Sequence, residues 1–298
     1  MFIKAKICLV FFLLFSDTIL AVDRPNFSFS TAELSRQLSQ KTIRQIYQDS
    51  TGYLWVVTQE GVARYDGYQL LSFVHNPRES ESLSSDNVRA MLEDHEKRLW
   101  FASDGGGLNL YNSAKQTFKS WKQSNNSDES PSSNRIRSMV IDNAGYIWLG
   151  YNNGNFSRFD PNEMVFEHFD TRSLLPELKK DAAVTAIVED GKNIWLGTDG
   201  NGLLKLSKQT NKLERLHTSS SHLLFSDRLT HLFIDKQHRL WMTSYDAGVS
   251  VMNPHRTNFT TFQHHDEQPE SLAANLVHTV YQDHRHRIWF GTEAGASL

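Results

Sequence analysis

The stretch LEDHEKRLWFASDGGGLNLYN, residues 92–112, is one of six related copies along this chain of 298 residues. Every copy carries a tryptophan directly after a leucine or isoleucine, and successive tryptophans lie 45, 48, 47, 46 and 48 residues apart. They are Trp55, Trp100, Trp148, Trp195, Trp241 and Trp289. A period in the forties with one aromatic residue per unit is typical of a repeat protein, because each unit buries its faces only against its neighbours.

Each repeat has the pattern of four β-strands, which we letter A to D from the centre outward. Alternating residues such as Val88-Arg89-Ala90-Met91 indicate strand A, and the tryptophan lies in strand B. A glycine-led segment such as Gly107-Leu108 begins strand C, and a short aromatic or leucine-bearing run forms strand D. The sequence therefore predicts an all-β fold, a β-propeller of four-stranded antiparallel blades without a long helix.

Five blades are complete in the sequence and the sixth is truncated. We expect the blades at about residues 42–74, 87–121, 135–169, 183–216, 229–262 and 276–298, the last one partial. Residues 27–29, Phe-Ser-Phe, alternate like an outer strand and are expected to close the ring by completing the last blade. We favour an incomplete seven-bladed ring. Closure with six blades, using Gly295 to Leu298 as a third strand, is the alternative.

An aspartate precedes the tryptophan by six residues in five repeats and by five residues in the fourth. These aspartates are Asp49, Asp94, Asp142, Asp190, Asp235 and Asp283. Gly52 and Gly145 follow two of them after three residues, which is the pattern of a turn that combines a carboxylate cap with a residue tolerant of positive φ. We interpret the aspartates as turn caps rather than catalytic acids, and the tryptophans as packing residues rather than ligand contacts.

The N-terminus has the pattern of a secretory signal. Lys4 and Lys6 precede an apolar run from Ile7 to Phe15, and a cleavage point after Ala21 is plausible. We therefore predict a signal peptide at residues 1–21, propeller repeats at 22–298 and an extracytoplasmic, periplasmic location. An uncleaved anchor is the alternative. The rest of the chain has no apolar run of ~20 residues, the length that spans a membrane.

Composition argues against several functional classes. The net charge of −3 includes no basic excess, so nucleic-acid binding is not predicted. Several of the 13 histidines gather in the last repeat, but a zinc site needs three or four converging ligands and the spacing does not establish them. No calcium or phosphate-binding loop is present in the sequence. We therefore predict no metal, cofactor or catalytic residue, and favour surface roles for the histidines.

A binding surface is the better prospect, because the B–C loops and the loops between blades share one face of a propeller. Their polar side chains and one aromatic ring suit a sugar or another small polar ligand. The candidate residues are Glu60, Asp104, Asn152, Asn153, Asp199, Asn201, Tyr245, Asp246 and Glu293. Simple solvation of the loop is the alternative for each of them.

The second position of strand A carries a further candidate set. In successive repeats it is Arg44, Arg89, Arg137, Thr185, Thr230 and His278. Three guanidiniums on one side of the channel would fit an anionic ligand such as an acidic glycan, because arginine forms paired bonds to carboxylate and sulfate groups. Ion pairing of these arginines with the loop acids is the favoured alternative.

Three segments carry a resemblance to a known family. They are ARYDGYQLLSFVHNP at residues 63–77, SLSSDNVRAMLEDHEKRLWFASDGGGLNLYN at 82–112 and SLAANLVHTVYQDHRHRIWFGT at 271–292. Together they resemble the two-component regulator propeller family, over roughly residues 27–298. The fourth repeat departs most, since it lacks the Ser-Leu segment before strand A and has a shorter turn.

The resemblance implies the extracytoplasmic sensing part of a membrane receptor. The later segments of such receptors include further blades, a transmembrane helix and a cytoplasmic histidine kinase or diguanylate cyclase. Our leading hypothesis is a non-catalytic periplasmic sensor, linked to the inner membrane by segments outside this chain, that binds a small polar or glycan ligand, with an anionic ligand as one option. The alternatives are a secreted propeller enzyme, such as a polysaccharide lyase or hydrolase, and a protein-binding scaffold.

Overall fold

The computed structural model describes residue 38 and residues 42–125, 127–218 and 224–298. The predicted signal peptide at 1–21 and the predicted closing strand at 27–29 lie outside the described residues, so both stay predictions. The described residues contain 23 strands arranged in six antiparallel sheets. This arrangement confirms the prediction of an all-β propeller.

The six blades follow one another along the chain, and each runs from its inner strand to its outer strand. Blade one comprises β1 (Ile43–Gln48), β2 (Leu54–Thr58), β3 (Gly61–Tyr65) and β4 (Leu70–Phe73). Blade two comprises β5 (Val88–Glu93), β6 (Leu99–Ser103), β7 (Gly107–Asn112) and β8 (Thr117–Trp121). Blade three comprises β9 (Ile136–Ile141), β10 (Ile147–Tyr151), β11 (Phe156–Asp160) and β12 (Val165–Phe169).

The remaining blades repeat this order. Blade four comprises β13 (Val184–Glu189), β14 (Asn193–Thr198), β15 (Leu203–Ser207) and β16 (Leu213–Leu216). Blade five comprises β17 (Leu229–Ile234), β18 (Leu240–Ser244), β19 (Val249–Met252) and β20 (Phe259–Phe262). Blade six has three strands among the described residues: β21 (Val277–Gln282), β22 (Ile288–Thr292) and β23 (Gly295–Ser297). The helical elements of the described residues are one turn of α-helix, α1 (Thr171–Leu174), and one turn of 3-10 helix at Ser127–Glu129.

The repeat aspartate bonds both the A–B turn and the tryptophan of its own blade. In blade three, Oδ1 of Asp142 accepts the backbone N–H groups of Ala144 at 2.9 Å and Tyr146 at 3.0 Å. Its other oxygen accepts the indole Nε1–H of Trp148 at 3.0 Å. The same aspartate-to-indole bond occurs in all six blades, at 2.7 to 3.0 Å. Each aspartate therefore caps the turn and also fixes the orientation of its indole.

Glycine is required at the start of strand C. Gly107 has a φ of +75°, and a Cβ atom added there would lie 2.2 Å from the carbonyl oxygen of Trp121 on the outer strand. Gly248 has the same geometry, with a φ of +73° and a Cβ position 2.2 Å from the carbonyl oxygen of Phe262. Glycine at this position lets strands C and D approach closely where strand C begins.

The hydrophobic core is divided among the interfaces between consecutive blades. The tryptophans of blades one to five pack against apolar residues of the next blade: Trp55 lies 5.3 Å from Phe101 and Trp100 lies 5.2 Å from Phe159 between ring centroids. Five apolar clusters of this kind join blades one to six in order. Truncation of such a buried indole to alanine costs about 3 to 5 kcal/mol, so these interfaces stabilise the fold in place of disulfides.

The seam between blades six and one differs from the other interfaces. Among the described residues no apolar cluster joins these two blades, and the inner-strand side chains of Ile46 and Tyr281 are 57% and 63% exposed. Trp289 is half-buried, whereas the other five repeat tryptophans are at most 6% exposed. The Trp289 side chain is therefore less completely packed than the other repeat tryptophans. A seventh blade at this seam stays a prediction.

Candidate functional site

Every inner strand carries a β-bulge at its second residue. In blade one, Ile43 pairs with Thr58 and Gln45 pairs with Val57, so Arg44 between them has no partner on β2. The same shift leaves out the second residue of strand A in each of the other five blades. We name this set the bulge ring: Arg44, Arg89, Arg137, Thr185, Thr230 and His278.

The bulge ring lines the mouth of the central channel. All six of its members border one cavity of about 550 Å3, together with Thr42 and Tyr245. A second cavity of about 590 Å3 lies among the same inner strands and also contacts the three arginines. A β-bulge redirects the side chain of its extra residue, which explains how six separate strands present one position to a shared space.

Asp104 is held between two guanidiniums. Nη2 of Arg89 lies 2.8 Å from its Oδ2, and Nε of Arg135 lies 2.8 Å from its Oδ1. Burial opposes ionisation of this carboxyl, but the bonds from Arg135 and Arg89 outweigh burial, so the pKa of Asp104 is lowered from its usual value. Asp104 therefore stays ionised, and each of its oxygens already accepts one guanidinium.

The other two arginines of the bulge ring have weaker partners. Arg44 donates to the amide oxygen of Asn87 at 3.3 Å, and Arg137 has no ion-pair or hydrogen-bond partner among the described residues. Burial and the neighbouring charges of Arg89 and Arg137 lower the pKa of Arg44 to about 10. Among these three arginines only Arg89 forms an ion pair with a loop acid within the described residues, so the favoured alternative of pairing applies to Arg89 alone.

The opposite side of the mouth is neutral. The hydroxyl of Thr185 donates to the carbonyl oxygen of Leu229 at 2.7 Å, and that of Thr230 donates to the carbonyl oxygen of Val277. These bonds tie the inner strands of blades four and five to the next blade, and the oxygen of Thr230 also lies 2.6 Å from the hydroxyl of Thr243. His278 completes the bulge ring and is exposed.

The B–C loops lie against the segment that leads into the next blade, as expected. Gly105 donates its N–H to the carbonyl oxygen of Asn134 at 2.8 Å, and Gly248 donates to that of Asn275 at 2.9 Å. The loop side chains that sequence analysis selected are distributed around this face, and only Tyr245 among them lines the mouth cavity. The structure thus brings the arginines, His278 and Tyr245 together, while the other loop candidates surround them.

Several loop candidates bond other loop residues on the same face of the propeller. Asn201 is 3% exposed, and its amide bonds the backbone N–H and carbonyl of Lys179 at 2.8 and 3.0 Å. Asp246 accepts the hydroxyl of Ser226 at 2.6 Å, and Asn153 accepts the N–H of Asn155 at 3.1 Å. These contacts give the three side chains a role in holding loop conformation.

The remaining candidates lie on the same loops. Asp199 pairs with Nε of Arg228 at 3.0 Å. Asn152 and Glu293 donate their backbone N–H groups to the residues just before strand A of their own blades, at 3.0 and 3.2 Å. Glu60 also lies in a B–C turn, where its N–H bonds the hydroxyl of Thr58 at 3.0 Å.

The arginine that directly precedes strand A in two blades was not predicted to have a role. Arg135 bonds Asp104 of the preceding blade, and Arg228 bonds Asp199 of the preceding blade in the same way. Both pairs also form a β-bridge. The signal was present in the sequence, because an arginine directly before strand A follows a B–C loop aspartate in both cases.

Two further features that bear on function are a metal site and a membrane-spanning helix. Within the residues that the structure describes, no group of three or more histidine, cysteine, aspartate or glutamate side chains is arranged to hold a metal ion. Over the same ranges, no helix is long and apolar enough to cross a membrane.

Comparison with known proteins supports the repeat assignment. The model of the "Two component regulator propeller" repeat matches residues 37–60, 82–105, 130–153 and 271–294. A segment of 65 residues, 22% of this chain, is 35% identical to histidine kinase P4 of Formosa agariphila and covers 5% of that protein.

Solved structures share the fold at low sequence identity. The extracellular domain of a putative hybrid two component system of Bacteroides thetaiotaomicron is 19% identical, with a TM-score of 0.60 over 87% of this chain and 40% of that one. PorZ, a surface component of the type-IX secretion system of Porphyromonas gingivalis, is 15% identical, with a TM-score of 0.64 over 88% of this chain and 40% of that one. This chain thus spans about two fifths of each. With four of its six repeats matched by that model, the chain carries the repeats of the two component regulator propeller family.

Proposed function

We propose that this chain is the ligand-sensing module of a membrane-bound signal transduction receptor and that its ligand binds at the bulge ring. The observation that carries the proposal is the bulge shared by all six inner strands, which directs six side chains into one cavity. Packing of the propeller does not require charged residues at these positions. Three arginines there are better explained by binding.

The family and its relatives support the signalling context. The solved relative from B. thetaiotaomicron is described as the extracellular domain of a hybrid two component system, and the F. agariphila relative is a histidine kinase. We infer that this chain is likewise exported by its N-terminal signal and acts outside the cytoplasm. A kinase or diguanylate cyclase domain elsewhere in the receptor would produce the output.

The mouth is better suited to binding than to catalysis. Hydrolysis or elimination at a sugar uses carboxylates or another acid and base pair beside the reacting bond. The described residues that line the mouth include three arginines and two histidines, but no carboxylate. A small polar ligand, such as a sugar or a sugar acid, is the class that these donors and hydroxyls would recognise.

The test is to measure the output of the full-length receptor. Membranes containing the receptor are assayed for ATP-dependent phosphorylation and for cyclic di-GMP synthesis, with and without pools of soluble sugars and organic acids. We expect one pool to change the output, and the Thr185→Val variant, altered at the mouth, to weaken the response. Chemical turnover of the active pool by the purified propeller, or an unchanged response in the mouth variant, would contradict the proposal.

A further inference from the structure

We propose that the arginine side of the bulge ring, formed by Arg44, Arg89 and Arg137, is a subsite for a doubly charged or bidentate oxyanion group, such as a sulfate or carboxylate. The inference rests on the proposed function, because it assigns the chemistry of the ligand that this mouth would sense. The subsite would bind the negatively charged group of that ligand.

The arginine side of the mouth has an excess of positive charge. This side holds three guanidiniums, Asp104 is the carboxylate beside them, and it pairs with Arg89 and with the rim residue Arg135. That carboxylate accepts Arg89 on one oxygen and Arg135 on the other. These groups carry four positive charges and one negative charge, so the local excess of positive charge is three, and an oxyanion placed between the guanidiniums would offset part of it.

One position of the B–C loop supplies the carboxylate that pairs with Arg89. Asp104 lies four residues after Trp100, and the same position holds Gln59 in blade one and Asn152 in blade three. Arg89 thus has an acidic partner in its own blade, whereas the blades of Arg44 and Arg137 have neutral amides at that position. Two of the three guanidiniums are left without a carboxylate by the sequence itself.

Several guanidinium donors of the bulge ring have no acceptor. Nε of Arg44 and Nε of Arg89 are buried and have no hydrogen-bond partner, and Arg137 has none in the part of the chain that the structure describes. A buried donor without an acceptor is costly, and bonds from guanidinium to an anion are among the strongest in proteins. The side chain of Arg137, which lines the mouth, would donate to an oxyanion there, and the two buried Nε–H groups would reach it after a small movement of their side chains.

The neutral side of the mouth indicates what the anion is attached to. The hydroxyl of Thr185 already donates to a backbone carbonyl, so its oxygen would accept from a ligand hydroxyl group. Thr230 also donates to a carbonyl and lies 2.6 Å from the hydroxyl of Thr243, which leaves one lone pair of its oxygen for a ligand. The cavity of about 550 Å3 is within the range of sites for small organic ligands. A sugar carrying one acidic group would place its acid on the arginines and its hydroxyls on the threonines.

The experiment measures binding of inorganic sulfate, glucuronate and glucose to the purified propeller by isothermal titration, at an ionic strength held constant with chloride. Arg137→Gln is the test variant, because Arg137 has no ion-pair or hydrogen-bond partner among the described residues. Arg158→Gln is the matched control: it lies in the same blade and removes the same charge, but pairs with Glu167 at 2.6 Å, away from the channel.

We expect sulfate and glucuronate to bind the unmodified protein, and Arg137→Gln to weaken both by at least about tenfold, which is about 1.4 kcal/mol. Arg158→Gln should bind within about twofold of the unmodified protein, because Arg158 lies on strand C, pairs with Glu167 and does not line the mouth. Tighter binding of glucuronate than of sulfate would identify a sugar acid as the source of the anion, and the reverse order a sulfate group.

The proposal is overturned if neither anion binds the unmodified protein, or if both variants bind equally. Thermal unfolding without ligand controls for folding. If Arg137→Gln is unstable, Arg137→Lys replaces it and should retain a weaker affinity, because lysine keeps the charge but not the paired donors. Glucose binding at the mouth without binding of either anion would overturn this inference and leave the sensor function intact.

Discussion

The aspartate-to-indole bond provides a sharp test of how each blade is held together, and Asp142→Asn is the most informative change. The Asp142 side chain is 1% exposed, and its Oδ2 accepts both Trp148 Nε1 at 3.0 Å and Lys208 Nζ at 3.1 Å. Asparagine can still cap the turn with its carbonyl oxygen. Its NH2 group then faces two other donors, so the indole and the ammonium both lose their acceptor.

The magnitude follows from these contacts. A hydrogen bond to a charged group contributes about 1.5 to 3 kcal/mol, and the partly exposed ion pair with Lys208 adds less than about 1 kcal/mol. Lys208 keeps a second partner, Glu189, at 2.9 Å. We therefore expect the free energy of unfolding to fall by about 2 to 3 kcal/mol, measured by urea titration followed by tryptophan fluorescence.

Asp160→Asn is the matched control. Asp160 also caps a turn, accepting the N–H groups of Asn162 at 2.9 Å and Glu163 at 3.2 Å, but it bonds no indole. Its replacement should change the free energy of unfolding by less than about 0.5 kcal/mol, as for most surface substitutions. Equal effects of the two substitutions, or no loss in Asp142→Asn, would refute the reasoning.

Acid provides a second readout of the same bond. Burial opposes ionisation of Asp142, but the bonds from Trp148 and Lys208 outweigh it, so its pKa is lowered in the folded protein. A lowered pKa means that the stabilisation is complete above about pH 4, where the unfolded aspartate is ionised, and is lost as pH falls through the folded pKa. Asp142→Asn should therefore lose less stability than the unmodified protein below pH 4.

Three further predictions concern packing, backbone and a buried histidine. Trp100→Ala should lower the free energy of unfolding by about 3 to 5 kcal/mol, and Trp289→Ala by less than half as much because it is half-buried; equal losses in urea titrations would contradict the seam described above. Gly107→Ala should lower the melting temperature much more than Gly52→Ala, since both have positive φ but only at Gly107 does an added Cβ meet a carbonyl oxygen; calorimetry checks this, and similar shifts would count against it. Burial lowers the pKa of His231 to about 4. As the pH is lowered from 6.5 to 4, the free energy of unfolding should therefore fall by up to about 1.4 kcal/mol per pH unit, because the unfolded imidazole is protonated first. Urea titrations across that range should show that His231→Gln removes this contribution to the slope.

The fold was readable from the sequence because its signals are local. The aspartate, the aliphatic residue and the tryptophan lie within seven residues, and together they specify a turn and the strand that follows it. Lys97, His238 and His286 occupy the turn position of Gly52 and adopt φ values of 60° to 66°. The turn therefore forms without glycine, as the sequence alone indicated.

The double role of the aspartate was less accessible. Turn capping follows from residue type and position. The bond from Asp94 to Trp100 depends on how strand B returns past the turn, which fixes the distance between residues six apart at 2.8 Å. Spacing alone does not give that distance.

The site could be predicted in composition but not in geometry. The recurrence of Arg44, Arg89 and Arg137 at one strand position was visible in the sequence, whereas the bulge that gathers them is a shift of one residue in strand pairing. Which arginine meets a carboxylate depends on contacts between segments 15 to 31 residues apart, such as those that join Arg89 and Arg135 to Asp104. Sequence periodicity does not determine such contacts.

The most direct test of the central claim, that the bulge ring is an anion-binding ligand site, is a crystal structure of the propeller grown with selenate, which is isosteric with sulfate and visible by its anomalous scattering. We predict an anomalous peak at the channel mouth, within about 4 Å of the guanidinium nitrogens of Arg44, Arg89 and Arg137. Selenate bound elsewhere on the protein with no peak at the mouth would contradict the account.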